Sequence, residues 1–168
     1  ESTWLLDMTH LGYIDRTKFD HWGRLPDWTD EKAMTKRLLG FRAFGKAIWD
    51  ILGERRGPRI VFEHPGQDTV PTSVFVCEPG GMIVICAGTS GYNGDVDLRY
   101  LWTRHKRFQG SHFANAFEAR AANQLVIDGK LDPCLTHVYE FNEVGLAHQR
   151  IHENAHTNGN VAVLVGAR

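Results

Sequence analysis

The stretch "GMIVICAG", residues 81–88, is an apolar run bounded by a glycine and by small residues. Comparable runs are "RIVFEH" (59–64), "RFQGSH" (107–112) and "NVAVLVG" (160–166), and "LGYIDR" (11–16) is a weaker candidate. The runs at 59–64, 81–88 and 107–112 do not alternate strictly between apolar and polar residues. This pattern is typical of parallel strands that are covered on both faces.

Helix-like segments lie between and after these strands: 30–52, 69–78, 113–129 and 141–156. Thr29 or Asp30 is a candidate N-cap for the first segment, and Gly129 is a natural C-cap for the third. Strands that alternate with helices predict an α/β fold with a mostly parallel sheet and flanking helices.

Composition indicates a globular domain of 168 residues, with 42% hydrophobic and 23% charged residues. A formal net charge of −1 gives no reason to expect nucleic acid or an anionic membrane as a partner. We find no signal peptide and no apolar run of about 20 residues, and thus expect no membrane span. Cys77, Cys86 and Cys134 lack CxxC spacing, which favours buried free thiols in a reducing, cytoplasmic location.

Two local motifs have competing interpretations. The basic run 104–107 is either a solvated surface or a contact for a ligand that carries phosphate. The loop "HWGRLPDW" (21–28) has two tryptophans, which either form a subunit interface or pack over the following helix.

The motif "HENAH" (152–156) matches the HExxH pattern of zinc proteases. The predicted helix ends almost directly after it, and the strand that follows offers no third ligand. Nine histidines in the chain also make a chance match easy. We therefore predict no metal site.

Small or polar residues follow three of the predicted strands, in "FEHPG" (62–66), "CAGTSGYN" (86–93) and "GSHFAN" (110–115). The carboxyl ends of parallel strands meet at one edge of a sheet, and ligands of α/β proteins bind there. The three segments therefore predict one crevice, although the glycine fingerprint GxGxxG of dinucleotide-binding proteins does not occur. His112 in this crevice is either a site residue or a cap of the helix that follows.

Together with "RYLW" (99–102), these segments closely resemble crotonyl-CoA carboxylase/reductases and related enoyl-CoA reductases of the medium-chain dehydrogenase/reductase superfamily. The resemblance runs from about Gly12 to the C-terminus and covers only the later part of such an enzyme. It implies a Rossmann-type fold that is incomplete at its N-terminal side. In the strand order 3-2-1-4-5-6, strands 1 and 2 would be missing and "LGYIDR" would have no neighbour.

The resemblance implies an NADPH-dependent reduction of a 2-enoyl-CoA, in which CO₂ captures the resulting enolate at the α-carbon. It places His112 in the CO₂ pocket, where an imidazole N–H can donate to an oxygen of CO₂. It places Arg99 and Tyr100 on the adenine of CoA near a subunit boundary. The residues that the resemblance implies for NADPH binding are His64, Pro65, Gly66, Ala87, Gly88, Thr89, Ser111 and Phe113.

The resemblance further implies residues 1–128 as the later part of the NADP-binding domain and 129–168 as a segment that returns to the catalytic domain. A helical insertion at about 17–53 is expected to form a subunit contact in a homo-oligomer, a dimer or tetramer. Two alternatives remain open: a reductase that does not carboxylate, of the acryloyl-CoA type, and a non-catalytic nucleotide-binding or oligomerisation fragment.

Overall fold

Three short parallel strands form the sheet that carries most of the predicted site. The structure, a computed structural model, describes residues 23–153, 155 and 159–166. Its elements in chain order are α1 (Glu31–Leu52), β1 (Ile60–Glu63), α2 (Val70–Val76), β2 (Met82–Ile85), α3 (Leu98–Trp102), β3 (Arg107–Gly110), α4 (Ala116–Ile127), β4 (Leu135–Glu140), a 3₁₀ turn (Phe141–Glu143), α5 (Val144–His152) and β5 (Asn160–Leu164).

The described residues form two compact units, 23–113 and 114–166 with its gaps. The first contains α1 to β3, and the second contains α4 to β5. The domain boundary at 128/129 that we expected from the sequence stays a prediction.

The sheet of the first unit has the order β1-β2-β3, and all its pairs are parallel. Glu63 pairs with Ile85, which in turn pairs with Gly110, so that the three strands end at the same level. This confirms the parallel sheet and matches three consecutive strands at one side of a Rossmann-type sheet. "LGYIDR" lies outside the described residues.

Helix α1 begins and ends where local signals predict. The Asp30 carboxylate accepts a hydrogen bond of 2.9 Å from the Ala33 backbone N–H, which caps the N-terminus. Gly53, just past the other end, has φ of 69°, a conformation that glycine adopts without strain. Phe41 of this helix is buried, and its ring centroid lies 5.3 Å from that of Phe75 in α2.

The core of the first unit lies between the sheet and helix α2. Its buried members are Val70, Val74, Cys77 and Ile83. Burying one such aliphatic side chain is worth about 1.5–3 kcal/mol, so this small cluster holds α2 on the sheet.

The other face of the sheet differs from our expectation of strands covered on both sides. Within the described part of this unit, Ile60 and Phe62 of β1 remain 45% and 68% exposed. Helix α2 contacts the opposite face, where Val61 and Ile85 join the core. Continuous apolar runs predict a sheet that is buried on both faces. In the described part of this unit, only one face of the sheet is buried.

The cysteine expectation holds in part. All three thiols are free, but only Cys77 is buried, whereas Cys86 and Cys134 are half-buried. Burial raises the pKa of the Cys77 thiol above its ordinary value, since a thiolate is poorly solvated there.

No helix in the described part of the chain has the length and apolar composition to cross a membrane.

The second unit contains a strand that the sequence did not indicate. β4 pairs in parallel with β5, and its six residues "LTHVYE" are too polar to read as a buried run. The short helix α3 was also missed. The predicted helix at 141–156 begins as a 3₁₀ turn and becomes α-helical at Val144.

Candidate functional site

The turn after β1 is tied to a buried carboxylate. Glu63, only 2% exposed, accepts a hydrogen bond of 2.9 Å from the Gly66 backbone N–H. Its carboxylate oxygens also accept from the hydroxyl groups of Thr69 and Ser73. The segment "HPG" (64–66) is therefore held against the start of α2.

The turns after β1 and β2 pack directly on each other. The Ser90 backbone N–H and hydroxyl donate to the Pro65 carbonyl at 2.8 and 2.9 Å. Gly66 has φ of 88°, and a Cβ there would lie 2.9 Å from both the Gly88 Cα and the Gly91 carbonyl oxygen. Only glycine fits this contact, so Gly66 and Gly88 are brought together as predicted.

The segment after β3 joins the same edge through its backbone. The Ser111 N–H donates to the Ile85 carbonyl at 2.8 Å, which continues the sheet past Gly110. His112 and Phe113 are exposed, and their ring centroids lie 4.1 Å apart. Phe113 has φ of 57°, a left-handed conformation that is unusual for a bulky residue and is found preferentially at functional sites.

His112 is not the cap of the following helix. The N-cap of α4 is Asn115, whose side chain accepts from the Glu118 N–H, while the Glu118 carboxylate accepts from the Asn115 N–H. This reciprocal capping box leaves no role for the imidazole in starting the helix. Of the two interpretations of His112, the cap is therefore wrong, and the site residue stays a prediction.

Arg99 and Tyr100 do not share one environment. Arg99 is exposed and forms a bidentate pair with Asp97 at 3.0 and 2.8 Å, and these hydrogen bonds hold the pKa of the Asp97 carboxyl below its usual value. Tyr100 is half-buried, with its ring edge-on to Phe75 at a centroid distance of 5.0 Å. The two residues thus have different partners in the chain, and their contact with the adenine of CoA stays a prediction.

Tyr100 lines a basic cavity of about 660 Å³. The cavity is also lined by Gly57, Pro79 and Lys106, which precede β1, β2 and β3 respectively. It therefore lies at the amino edge of the sheet, opposite the predicted crevice. Its cationic side chains are Arg42, Lys46, Arg55, Arg56, Arg104 and Lys106.

Four of these six cations have partners within the chain. Lys46 pairs with Asp50 at 2.8 Å, and Arg56 pairs with Glu54 and with Glu78, an acidic residue that also lines the cavity.

The other two lie against an aromatic ring and a backbone carbonyl. Arg55 lies over the Trp49 ring, 5.1 Å from its centroid. Lys106 donates to the Val74 carbonyl at 2.6 Å, and burial lowers the pKa of its ammonium group. In the sequence, the basic run 104–107 was the signal for this cavity. That run alone did not show that cationic residues of α1 and of the segment after it line the same cavity.

Metal binding finds no support in the described residues. Helix α5 ends at His152, and Glu153 is its C-cap, so the helix stops at the first histidine of "HENAH". His156 lies outside the described residues. Among the residues that the structure does describe, no three potential ligands come together.

Comparison with known proteins shows strong similarity over most of the chain. It is 49% identical over 156 residues to a crotonyl-CoA carboxylase/reductase of Cereibacter sphaeroides, covering 93% of this chain and 36% of that protein. A solved structure of crotonyl-CoA carboxylase/reductase AntE in complex with NADP matches with a TM-score of 0.82 and 61% identity. That match covers 94% of this chain and 39% of the AntE chain.

A more distant solved structure carries a longer substrate. The 2-octenoyl-CoA carboxylase reductase CinF, in complex with NADP and 2-octenoyl-CoA, matches with a TM-score of 0.64 and 36% identity. The match covers 81% of this chain and 29% of that one. No protein-family model matches the chain.

Proposed function

Because the chain is homologous to crotonyl-CoA carboxylase/reductases over about a third of their length, we propose that it is part of an NADPH-dependent 2-enoyl-CoA carboxylase/reductase. Such an enzyme reduces a crotonyl-CoA-like substrate and adds CO₂ to give an alkylmalonyl-CoA. The observation that carries the proposal is the 61% identity to a carboxylase/reductase solved with NADP, over 94% of this chain.

The carboxyl edge of the sheet suits a nicotinamide cofactor. β1, β2 and β3 end at the same level. Gly66 and Gly88 let the turns after β1 and β2 pack directly on each other, which forms a continuous backbone surface at this edge. A Cβ at Gly110 would have no atom within 4 Å, so space is open beside the third strand end. The residues proposed to hold NADPH are His64, Pro65, Gly66, Ala87, Gly88, Thr89, Ser111 and Phe113.

The chemistry that bound NADPH supplies is hydride donation to the β-carbon of the enoyl thioester. The chain's own contribution at this edge is orientation, since the two packed turns hold backbone groups in place. His112 is exposed at the same edge, and its N–H is proposed to donate to an oxygen of CO₂ as a carboxylate forms.

The basic cavity suits the nucleotide end of CoA. Arg42, Arg55 and Arg104 can pair with phosphate groups there, because guanidinium groups form charge-assisted hydrogen bonds with phosphate oxygens. Lys46 and Arg56 already pair with carboxylates of this chain and would have to exchange these partners for a phosphate. Tyr100 and Trp49 line the same cavity and offer aromatic surface for adenine. We assign Tyr100 to this contact, while Arg99, held by Asp97, would need to leave its partner to take part.

A homo-oligomer is proposed through α1 and the loop before it. Trp28 is 82% exposed and borders a groove of about 710 Å³ together with Leu38 of α1 and Leu98 of α3. Exposed tryptophan beside apolar residues is typical of interfaces. Trp22 lies outside the described residues.

The test uses the full-length protein that contains this chain. Purified protein, NADPH and crotonyl-CoA are incubated with and without bicarbonate, and the acyl-CoA products are separated by mass spectrometry. We expect alkylmalonyl-CoA with bicarbonate and saturated acyl-CoA without it. Saturated product alone under both conditions would indicate the non-carboxylating reductase, and no acyl-CoA product under either condition would indicate a non-catalytic protein.

A further inference from the structure

Glu63 is a buried acidic residue that none of the proposed contacts with NADPH or CoA uses. It lies at the carboxyl end of β1, directly before the segment 64–66, and it is among the three largest fully buried side chains of the described residues. A carboxylate is rarely placed in such a position unless hydrogen bonds compensate for its loss of water. Its surroundings therefore need an explanation.

The hydrogen bonds of Glu63 connect two elements. One oxygen, Oε1, accepts from the Gly66 N–H and from the Thr69 hydroxyl, and the other, Oε2, accepts from the Ser73 hydroxyl. Gly66 belongs to the turn, whereas Ser73 lies inside helix α2, which packs on the core. The carboxylate thus fastens the turn to a helix that cannot move without disturbing the core.

The turn after β1 also positions the turn after β2. The Pro65 carbonyl accepts both hydrogen bonds that Ser90 donates, and the Gln67 N–H donates to the Gly91 carbonyl at 3.2 Å. Because Gly66 and Gly91 also form a parallel bridge, a shift of the first turn would shift the second.

From these contacts we infer that Glu63 is a positioning residue for the NADPH-binding edge of the sheet. It does not reach the cofactor itself. Glu63 holds the backbone of residues 64–66 in the arrangement that binds NADPH. Through Ser90 it also holds the backbone of residues 88–91. This inference rests on the proposed function and adds a residue that the resemblance did not indicate.

The experiment compares three variants of the full-length protein. Glu63→Ala removes the acceptor and leaves the Gly66 N–H without its partner. Glu63→Gln keeps one oxygen for Gly66 and Thr69, and its amide can donate to Ser73, whose hydroxyl oxygen also accepts. Val74→Ala is the matched control, since it removes buried volume from α2 and none of the hydrogen bonds to Glu63.

Glu63→Ala is expected to raise the Kd for NADPH about 10- to 100-fold, because an unsatisfied buried donor and a loosened turn both weaken the site. Glu63→Gln should restore the Kd to within about threefold of wild type, and Val74→Ala should leave it unchanged. The KM for crotonyl-CoA should not change in any variant. Hydrogen exchange of the Gly66 amide, measured without cofactor, should speed up in Glu63→Ala only.

Unchanged NADPH affinity in Glu63→Ala, or an equal loss in Val74→Ala, would overturn the inference. If Glu63→Ala does not fold, Thr69→Val replaces it, because this substitution removes a single hydrogen bond to Glu63. Thr69→Val should raise the Kd for NADPH by a smaller factor, and an unchanged Kd would overturn the inference. A wild-type protein that binds no NADPH would overturn the proposed function as well. In that case the exchange of the Gly66 amide still reports separately whether Glu63 holds the turn.

Discussion

Asn115 and Glu118 hydrogen-bond each other reciprocally at the start of helix α4, at 2.9 Å from the Glu118 N–H and 2.8 Å from the Asn115 N–H. This capping box satisfies two backbone donors that the helix itself cannot satisfy. The stability of α4 should therefore not depend on the side chain of His112.

Substitution of the cap should therefore affect stability, and substitution of the histidine should not. Asn115→Ala is expected to lower the free energy of unfolding by about 0.5–2 kcal/mol. His112→Ala, at an exposed position, should stay within about 0.5 kcal/mol of wild type. Urea unfolding of both variants provides the measurement, and equal destabilisation by the two would contradict the assignment of the cap.

His112 should govern the fate of the enolate more than its formation. Hydride transfer depends on orientation, whereas an uncharged CO₂ molecule gains about 1–3 kcal/mol from one well-placed hydrogen bond. In the full-length enzyme, His112→Ala should cut carboxylated product by roughly 10- to 100-fold while reduction persists. The measured quantity is the ratio of alkylmalonyl-CoA to saturated acyl-CoA at saturating NADPH and bicarbonate. An unchanged ratio would remove His112 from the CO₂ pocket.

Gly66→Ala tests the contact between the two turns. A Cβ there would meet backbone atoms of residues 88 and 91 at 2.9 Å, and φ of 88° is strained for alanine. We expect a loss of about 1–3 kcal/mol in stability together with weaker NADPH binding. Gly53→Ala is the control, because φ there is also positive, at 69°, but no atom lies within 4 Å. Similar effects of the two substitutions would show that the backbone angle alone matters.

Arg104→Ala tests the basic cavity as the site of the CoA nucleotide. Loss of one charge-assisted hydrogen bond should raise the KM for crotonyl-CoA about 10- to 100-fold. The KM for crotonyl-pantetheine, which lacks the nucleotide, should not change. Arg107→Ala is the matched control, since Arg107 lies on β3 and is not among the residues lining this cavity. An equal effect of Arg104→Ala on both thioesters would contradict the assignment.

Local signals predicted much of the fold. The N-cap at Asp30 and the end of α1 at Leu52 follow from residues within one helical turn of each boundary. The strands β1, β2 and β3 follow from short apolar runs, although each strand is shorter than its run. β4 was missed, since its alternation of polar residues resembles a loop as much as a strand.

By itself, the sequence determined that helices and parallel strands alternate and that small residues follow three strands, because periodicity and capping act over a few neighbouring residues. Only the tertiary structure decided which of these residues meet. Ser90 hydrogen-bonds to Pro65 across 25 residues of sequence, and Lys106 lines a cavity with residues of α1. It also decided that Asn115 rather than His112 caps α4, and that Tyr100 packs on Phe75 while Arg99 pairs with Asp97. Contacts of this kind depend on how packed elements place distant backbone and side-chain groups, and no local pattern records that placement.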